Sequence, residues 1–286
     1  MYPRSAVKPF QALACRQLLA SVEIALHGTG LTIACASHRG SAQQQIEAAH
    51  LLALADLEES ALRCPPDWPA DREALCDSDA PAALAYNCSG KHAAFLWAHT
   101  ATGGPPEGYL DVDSPVQQRV REVLTEVTGA PPTGPGVDGC GAPAWRLSLV
   151  RLATGYARLA AAAQDTDLGA VRTAMLDRPE LVGGPGCADT DLMAADGRVV
   201  AKRGAEGVLA AGFARPRGPV GVAVKVADGA GRAAAPPVAA VLRALGATVP
   251  ADVARVPVPG RAQAWLEPAP RLLHWAAELG PQAAKR

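Results

Sequence analysis

Aromatic side chains are scarce in this chain, 4% of 286 residues, so its core has to be filled mainly by aliphatic groups. The 49% hydrophobic share leans on alanine. No charge of one sign dominates: 27 Lys and Arg face 28 Asp and Glu, giving a net charge of −1 and a sequence pI of about 6.6. That balance offers neither nucleic acid nor an anionic membrane surface a basic partner. The apolar runs are short or broken by charge, which excludes a transmembrane helix. The opening MYPRSAVKPF lacks the apolar core of a secretory leader. Neither a phosphate loop nor a G-x-G-x-x-G is present. Seven cysteines, an odd number, do not make a disulfide framework in a chain of this length. Without a leader they point to a reducing cytoplasm. The 25 prolines and 28 glycines are spread along the chain rather than gathered in a linker. We therefore expect a single domain over 1–286, large enough to bury a sizeable core.

Periodicity supplies the coarse organisation. Residues 7–27 read as a helix, with Phe10, Leu13, Ala14, Leu18, Val22 and Leu26 on one face and Pro9 in the first turn. Leu31–Ser37 (LTIACAS) reads as a strand or extended segment. A helix over 42–58 places Ile46, Ala49, Ala53 and Leu57 together. The Pro- and Asp-rich stretch 62–81 reads as a loop, and Asn87–His99 as a loop entering a helix. Ser114 and Pro115 provide an N-cap and first position for a helix over 115–128. Residues 130–144 are rich in Gly and Pro, and helices follow over 148–163 and 167–178. The pattern then changes: 198–203, 206–214 and 219–227 are short, partly β-branched and separated by turn residues, so they predict adjacent antiparallel strands. A helix over 229–245 is delayed by Pro236 and Pro237, Val253–Val258 reads as a further strand, and WLEPAPRLLHWAAEL fits either pattern. Helices first and strands later, without β–α alternation, predict an α+β domain with an antiparallel sheet flanked by helices. The helical lobe would span about 40–185 and the sheet-rich part about 1–39 and 190–286.

Five short constellations could carry chemistry, each with a plain structural alternative. Ser5-Ala6-Val7-Lys8 sets a serine and a lysine three apart at a helix start. There they share a face, and a desolvated ammonium could lose its proton and serve the hydroxyl as base. Ser5 could equally be an N-cap. Ser37, in Cys35-Ala36-Ser37-His38-Arg39-Gly40, could face a cleft or simply end a turn. Asn87-Cys88-Ser89-Gly90-Lys91-His92 gathers five functional side chains around one glycine. Cys88 and Lys91 could share a helical face, with Cys140 of Gly136-Val137-Asp138-Gly139-Cys140-Gly141 as a distant thiol partner. Two thiols can hold zinc, though a structural site normally uses four ligands, and Cys88 and Cys140 could be small buried hydrophobes instead. Lys202-Arg203-Gly204-Ala205-Glu206-Gly207 ends one strand and begins another. It suits a substrate wall or a plain hairpin. Asp228, after the strand that carries Lys225, could merely cap a helix.

Taken in order, RSAVKPFQAL, ACASHRG, NCSGKHAAFLWAH, PVQQ, GVDGCGAP, DTDLM, KRGAEG and VAVKVADGAGRA resemble the L-asparaginase II family over residues 4–233. The resemblance implies a serine β-lactamase- and glutaminase-like fold, a homodimer, and hydrolysis of L-asparagine to L-aspartate and ammonia by covalent catalysis. It implies two Ser–Lys pairs, Ser5 with Lys8 and Ser37 with Lys202, with Lys225 the less favoured second lysine. It also implies a Zn²⁺ site at Cys88, Lys91 and Cys140. Arg4, Asn87 and Asp138 are candidate substrate anchors, and Gly204, Ala205 and Glu206 belong to the K-x-G wall. Backbone N–H groups near the serine and near Ala205 would form the oxyanion hole. Three departures from the family pattern stand out. The upstream strands and their E-S-x-H-x-G stretch are missing, which predicts a frayed start around Ser5 and an exposed sheet edge. Ser114 stands where the family tends to carry histidine, and Arg203 separates Lys202 from Gly204. No S-D-N or K-T-G is present, which argues against a β-lactamase. A glutaminase of the same fold and an inactive zinc-binding relative are the alternatives.

Overall fold

A computed structural model describes residues 1–253, 255–256 and 264–265. A 3₁₀ turn over Arg4–Val7 opens the chain. The helices that follow are α1 (Lys8–Ala20), α2 (Gly28–Ala34), α3 (Ala42–Leu54), α4 (Arg72–Cys76), α5 (Ser89–Ala101) and α6 (Pro115–Thr128). A hairpin of β1 (Thr133–Val137) and β2 (Pro143–Arg146) separates these from α7 (Leu149–Ala161), α8 (Asp167–Asp177), α9 (Pro179–Val182) and α10 (Ala188–Ala195). The main sheet is β3 (Val199–Gly204), β4 (Val208–Phe213) and β5 (Val220–Lys225), antiparallel and in sequence order. Next come α11 (Ala235–Ala244) and a short antiparallel pair, β6 (Arg255–Val256) with β7 (Ala264–Trp265). The expected α+β class and the three sheet strands are present as read. The further strand expected at Val253–Val258 is described only in part, and the C-terminal WLEPAPRLLHWAAEL lies almost wholly outside the described residues. Among the described residues no helix is long and apolar enough to cross a membrane.

Helix α1 forms the centre of the molecule. It packs against α2, α5, α6 and α8, with Leu13, Ala14 and Leu19 buried, and Phe10 meets Tyr156 of α7 edge-on. Helix α7 lies on β4 and β5, α10 packs on β3, and the opening 3₁₀ turn packs on β3 as well. One buried cluster runs from α1 through α5, α6 and α7 to the sheet. It is largely Ala, Val and Leu, as the scarcity of aromatics requires. Capping follows the sequence. Ser114 Oγ accepts from Gln117 N at 3.4 Å, the N-cap read from the sequence. Ser41 and Gln44 form a reciprocal capping box on α3.

Several expectations are corrected. Leu31–Ser37 is not extended: α2 is helical through Ala34, with a turn after it. Its side chains are buried on every side, and a short apolar run buried all round has no period by which helix and strand can be told apart. The stretch 1–39 therefore contributes helices rather than strands. On α3 the buried face is Gln44, Ala48, Leu51 and Leu52, while Ile46 is 61% exposed. The stretch 62–81, read as a loop, contains the short helix α4, capped by Asp71, and the helix read over 7–27 ends at Ala20, which leaves Val22 exposed. The start of the chain is tied down rather than frayed. Met1 N donates to Leu147 O (2.9 Å) and Leu147 N to Met1 O (3.0 Å). Pro3 is buried, and Tyr156 Oη donates to Ala6 O at 2.7 Å. Gly204 is part of the same junction, because a Cβ there would fall 2.5 Å from Pro3 O. At the far side of the sheet, the whole of β5 is half-buried, and among the described residues only β4 pairs with it.

Candidate active site

Three of the five lysines in the chain, Lys8, Lys91 and Lys202, are 3% exposed or less. Lysine is almost never fully buried without a partner, so each requires an account. Lys8 sits at the start of α1. Its Nζ donates to Ala36 O and to Asn87 O, the latter at 3.2 Å, and lies within reach of the Cys88 thiol. Among the described residues no carboxylate makes a hydrogen bond or ion pair with it. Burial pulls its pKa below the ordinary lysine value, with the Cys88 thiol opposing and Lys91 assisting. Ser5, half-buried in the 3₁₀ turn before α1, shares that end of the helix. Among the described residues no hydrogen bond joins Ser5 Oγ to Lys8 Nζ, so the contact that the three-residue spacing suggests is not made in this state.

Lys8 is tied to the second serine through the backbone, because Ala36 precedes Ser37. Ser37 is held on both sides: its N donates to Val182 O (2.9 Å) and its O accepts from Arg203 Nη2 (2.8 Å). Its N–H, and that of His38, which donates to Asn87 O, are therefore not free oxyanion donors. Ser37 Oγ is buried and, among the described residues, has no hydrogen-bond partner. A buried unpaired hydroxyl is costly, and here it sits between two buried lysine networks. The adjacent His38 fixes the turn. Nδ1 accepts from Gly40 N (3.0 Å), which leaves Nε2 protonated and donating to Ser89 Oγ (2.9 Å), and Ser89 in turn donates to Leu84 O. Burial, with Lys8, Lys202 and Arg203 nearby, pushes the His38 pKa down to about 3. This imidazole is neutral and structural.

Lys202, on β3, donates to Asp189 Oδ2 and to Arg203 O, each at 3.1 Å. Both Lys202 and Asp189 are 0% exposed. Burial lowers the Lys202 pKa to about 8 against the restoring field of Asp189. Arg203 N also donates to Asp189 Oδ2, and its guanidinium reaches back to Ser37 O and Gly183 O. Arg203 in the Lys-Arg-Gly triplet thus bridges β3 to the Ser37 turn. Lys225, the alternative second lysine, lies half-buried on β5 and donates to the neighbouring Val226 O.

Helix α5 brings the thiol pair together. Gly90 lets its first turn abut α2, since a Cβ there would lie 2.4 Å from Ile33 O. Cys88, Lys91 and His92 then face Cys140 on the loop between β1 and β2. Lys91 Nζ donates to Cys140 Sγ at 3.0 Å, and the two thiols are within hydrogen-bond reach of each other. The pair shares its protons unequally. The Cys140 thiol, with Lys8 and Lys91, holds Cys88 well below the usual thiol range, while the Cys88 thiol and burial hold Cys140 above it. Burial disfavours the Lys91 ammonium, but the two sulfurs outweigh it and raise its pKa. His92 Nδ1 is paired with Tyr109 Oη at 2.7 Å, and its buried ring also lies beside the Cys140 thiol. Two sulfurs and a lysine nitrogen are thus gathered where α5 meets the β1–β2 loop, donor types that a soft divalent metal accepts. Asn87 turns its Oδ1 to Cys88 Sγ (3.0 Å) rather than away from the site.

At the outer edge, Arg4 joins three segments. Its Nε donates to Asp138 Oδ1 and its Nη1 to Glu206 Oε1, both at 2.7 Å. Arg4 (φ 54°) and Glu206 (φ 59°) both adopt left-handed backbone, an arrangement that costs energy for non-glycine residues and persists only where surroundings enforce it. Asp138 is held below its usual pKa: burial opposes this, but Lys91 and Arg4 prevail. Ala205 is exposed in the turn between β3 and β4. The apolar cleft of about 470 Å³ lined by Ile24, His27, His50, Leu54 and Trp97 is elsewhere in the molecule. It carries none of these groups.

The sequence reading missed Asp189, His38 and the reach of Arg203. DTDLM and ACASHRG were noted as stretches, but nothing in a sequence says which carboxylate is buried beneath which lysine. No curated protein matches the chain. The L-asparaginase II family model matches residues 1–263. A match over most of the chain, together with the buried serine and lysines at one site, makes the protein a member of the L-asparaginase II family.

Proposed function

We propose that the chain hydrolyses the side-chain amide of L-asparagine to L-aspartate and ammonia by Ser–Lys covalent catalysis. The observation that carries this reading is the unpartnered Ser37 Oγ, held by backbone bonds between the Lys8 and Lys202 networks. A serine of the two Ser–Lys pairs, Ser5 or Ser37, attacks the amide carbon while buried Lys8 accepts its proton. The same proton is delivered to the departing nitrogen, and ammonia leaves. Water then cleaves the aspartyl ester and returns the proton to the serine. Arg4 suits the substrate's α-carboxylate, and Asp138 and Glu206 suit its α-ammonium, once their mutual pairing opens. With the Ser37 and His38 N–H groups engaged, donors around Ser5 and Ala205 are left to meet the oxyanion. We read the fold as serine β-lactamase-like, because the S-x-x-K helix start rests against the K-x-G end of β3. Cys88, Lys91 and Cys140 would hold zinc, which when bound supplies fixed positive charge and pins α5 to the loop that carries Asp138. We also read the protein as a cytoplasmic homodimer, in keeping with its seven free cysteines.

The test is ammonia release from L-asparagine, L-glutamine and buffer, with metal content measured on the same preparation. Release from asparagine above buffer supports the reading. Faster release from glutamine would reassign the substrate, since one methylene gives only about 1–3 kcal/mol of discrimination. Zinc without ammonia release would make the protein a non-catalytic relative.

A further inference from the structure

Asp189, in the first turn of α10, takes no part in the proton transfers above, yet it is the most enclosed carboxylate of the site. Its Oδ2 accepts from Lys202 Nζ and from Arg203 N, each at 3.1 Å. Its Oδ1 accepts from Thr190 N at 3.3 Å and lies 3.9 Å from Arg203 Nε. Arg203 carries the connection onward to Ser37 O. An ammonium buried without an anion sheds its proton or destabilises the fold. The groups that face Lys202 are Asp189 from α10, Arg203 from β3, Lys8 from α1, and Cys35 and His38 from the segment after α2. Cys35, pushed up to about 12 by burial, remains a thiol, and His38 remains neutral. Tyr156 of α7 faces Asp189 with its phenol raised well above the ordinary value by burial. Among the described residues, Asp189 is the one anion that compensates Lys202.

Resting on the amidohydrolase reading, we propose that Asp189 is a positioning residue that keeps Lys202 as an ammonium and, through Arg203, fixes the Ser37 backbone, so that Lys202 contributes charge and hydrogen bonds rather than taking the serine's proton. The two lysines then divide the labour: Lys8, with which no carboxylate among the described residues pairs, is the base, and Lys202 is the resident cation. Loss of the Asp189 charge makes the ammonium less favourable, so the Lys202 titration moves to lower pH. Activity that needs the charged form is lost as pH rises through that titration.

The chain has only five lysines, so ¹³Cε-lysine labelling gives a resolvable NMR spectrum, with Lys202 assigned by Lys202→Arg. In the unaltered protein the Lys202 signal is expected to be that of an ammonium at pH 7 and to titrate near pH 8. A neutral amine at pH 7 overturns the proposal. In Asp189→Asn the titration, and with it the alkaline fall of kcat/KM for L-asparagine, should move about one unit or more to lower pH, with Asp189→Glu restoring part of the shift. A folded Asp189→Asn protein with both limbs unmoved also overturns it. If Asp189→Asn does not fold, the titration of the unaltered protein still decides. That titration needs no turnover, so absent ammonia release would refute the amidohydrolase reading while leaving the Lys202 charge to be read separately.

Discussion

The two buried lysines on either side of the Ser37 turn, Lys8 and Lys202, are the same residue in unlike surroundings. Lys8 is buried at a helix start among backbone carbonyls and a thiol, with no carboxylate among the described residues paired to it. Lys202 is equally buried on a strand, but a carboxylate with no solvent exposure holds it from one side and Arg203 flanks it on the other. Burial lowers both pKa values, and only Lys202 has a carboxylate that resists. The difference teaches that residue type alone does not set the chemistry. The partner behind the lysine decides whether it takes a proton or keeps one.

The largest effect expected from breaking this contrast is on the base. Lys8→Met fills the same space without an amine and should lower kcat by about 10²–10⁴-fold, measured by ammonia release from L-asparagine. A barely altered kcat would place the base elsewhere. Next comes the ion pair itself. Asp189→Ala leaves a buried ammonium unpaired and should cost about 3–5 kcal/mol in urea unfolding. Replacing Lys202 by Met in the same chain should recover much of that loss, and no recovery would mean that the pair is not the source of the cost. At the rim, Asp138→Ala removes a charge-assisted contact and should raise KM by about 10- to 100-fold with a much smaller change in kcat. An unchanged KM would remove Asp138 from the substrate anchors.

An effect spread over pH rather than read at one pH concerns the turn between the two lysines. The His38 pKa is depressed from 6.5 in the unfolded chain to about 3 in the fold. Its contribution to stability is therefore complete above pH 6.5 and is lost as pH falls towards 3, because the unfolded state binds the proton first. The slope is at most about 1.4 kcal/mol per pH unit. His38→Gln should flatten it in denaturation curves taken between pH 4 and 7, and an unchanged slope would assign the acid sensitivity to other groups.

The candidate site was read from the ordered resemblance to the family rather than from any one spacing. The order of S-x-x-K, N-C-S-G-K-H, G-V-D-G-C-G and K-R-G picked out Lys8, Lys91, Cys140 and Lys202, and the structure brings Lys91 to Cys140 and links Lys8 and Lys202 to the two ends of the Ser37 turn. The three strands of the main sheet followed from β-branched alternation between turn residues. What stayed hidden depends on burial and on long-range contact. Leu31–Ala34 has the apolar content of a strand, and its enclosure on every side leaves no period by which its helix could be read. Asp189 reads as an ordinary helix-start acid until β3 folds onto it. The tethering of Met1 to Leu147 and of Ala6 to Tyr156 joins residues about 150 positions apart, which no local pattern records. A start that reads as frayed is for that reason held.

The most direct test of paired Ser–Lys hydrolysis is ammonia release from L-asparagine by the unaltered chain beside Ser5→Ala and Ser37→Ala, each checked for folding. Sustained release by the unaltered protein, abolished by both substitutions, is the predicted result. Release that persists undiminished in either folded variant would contradict the joint action of the two pairs.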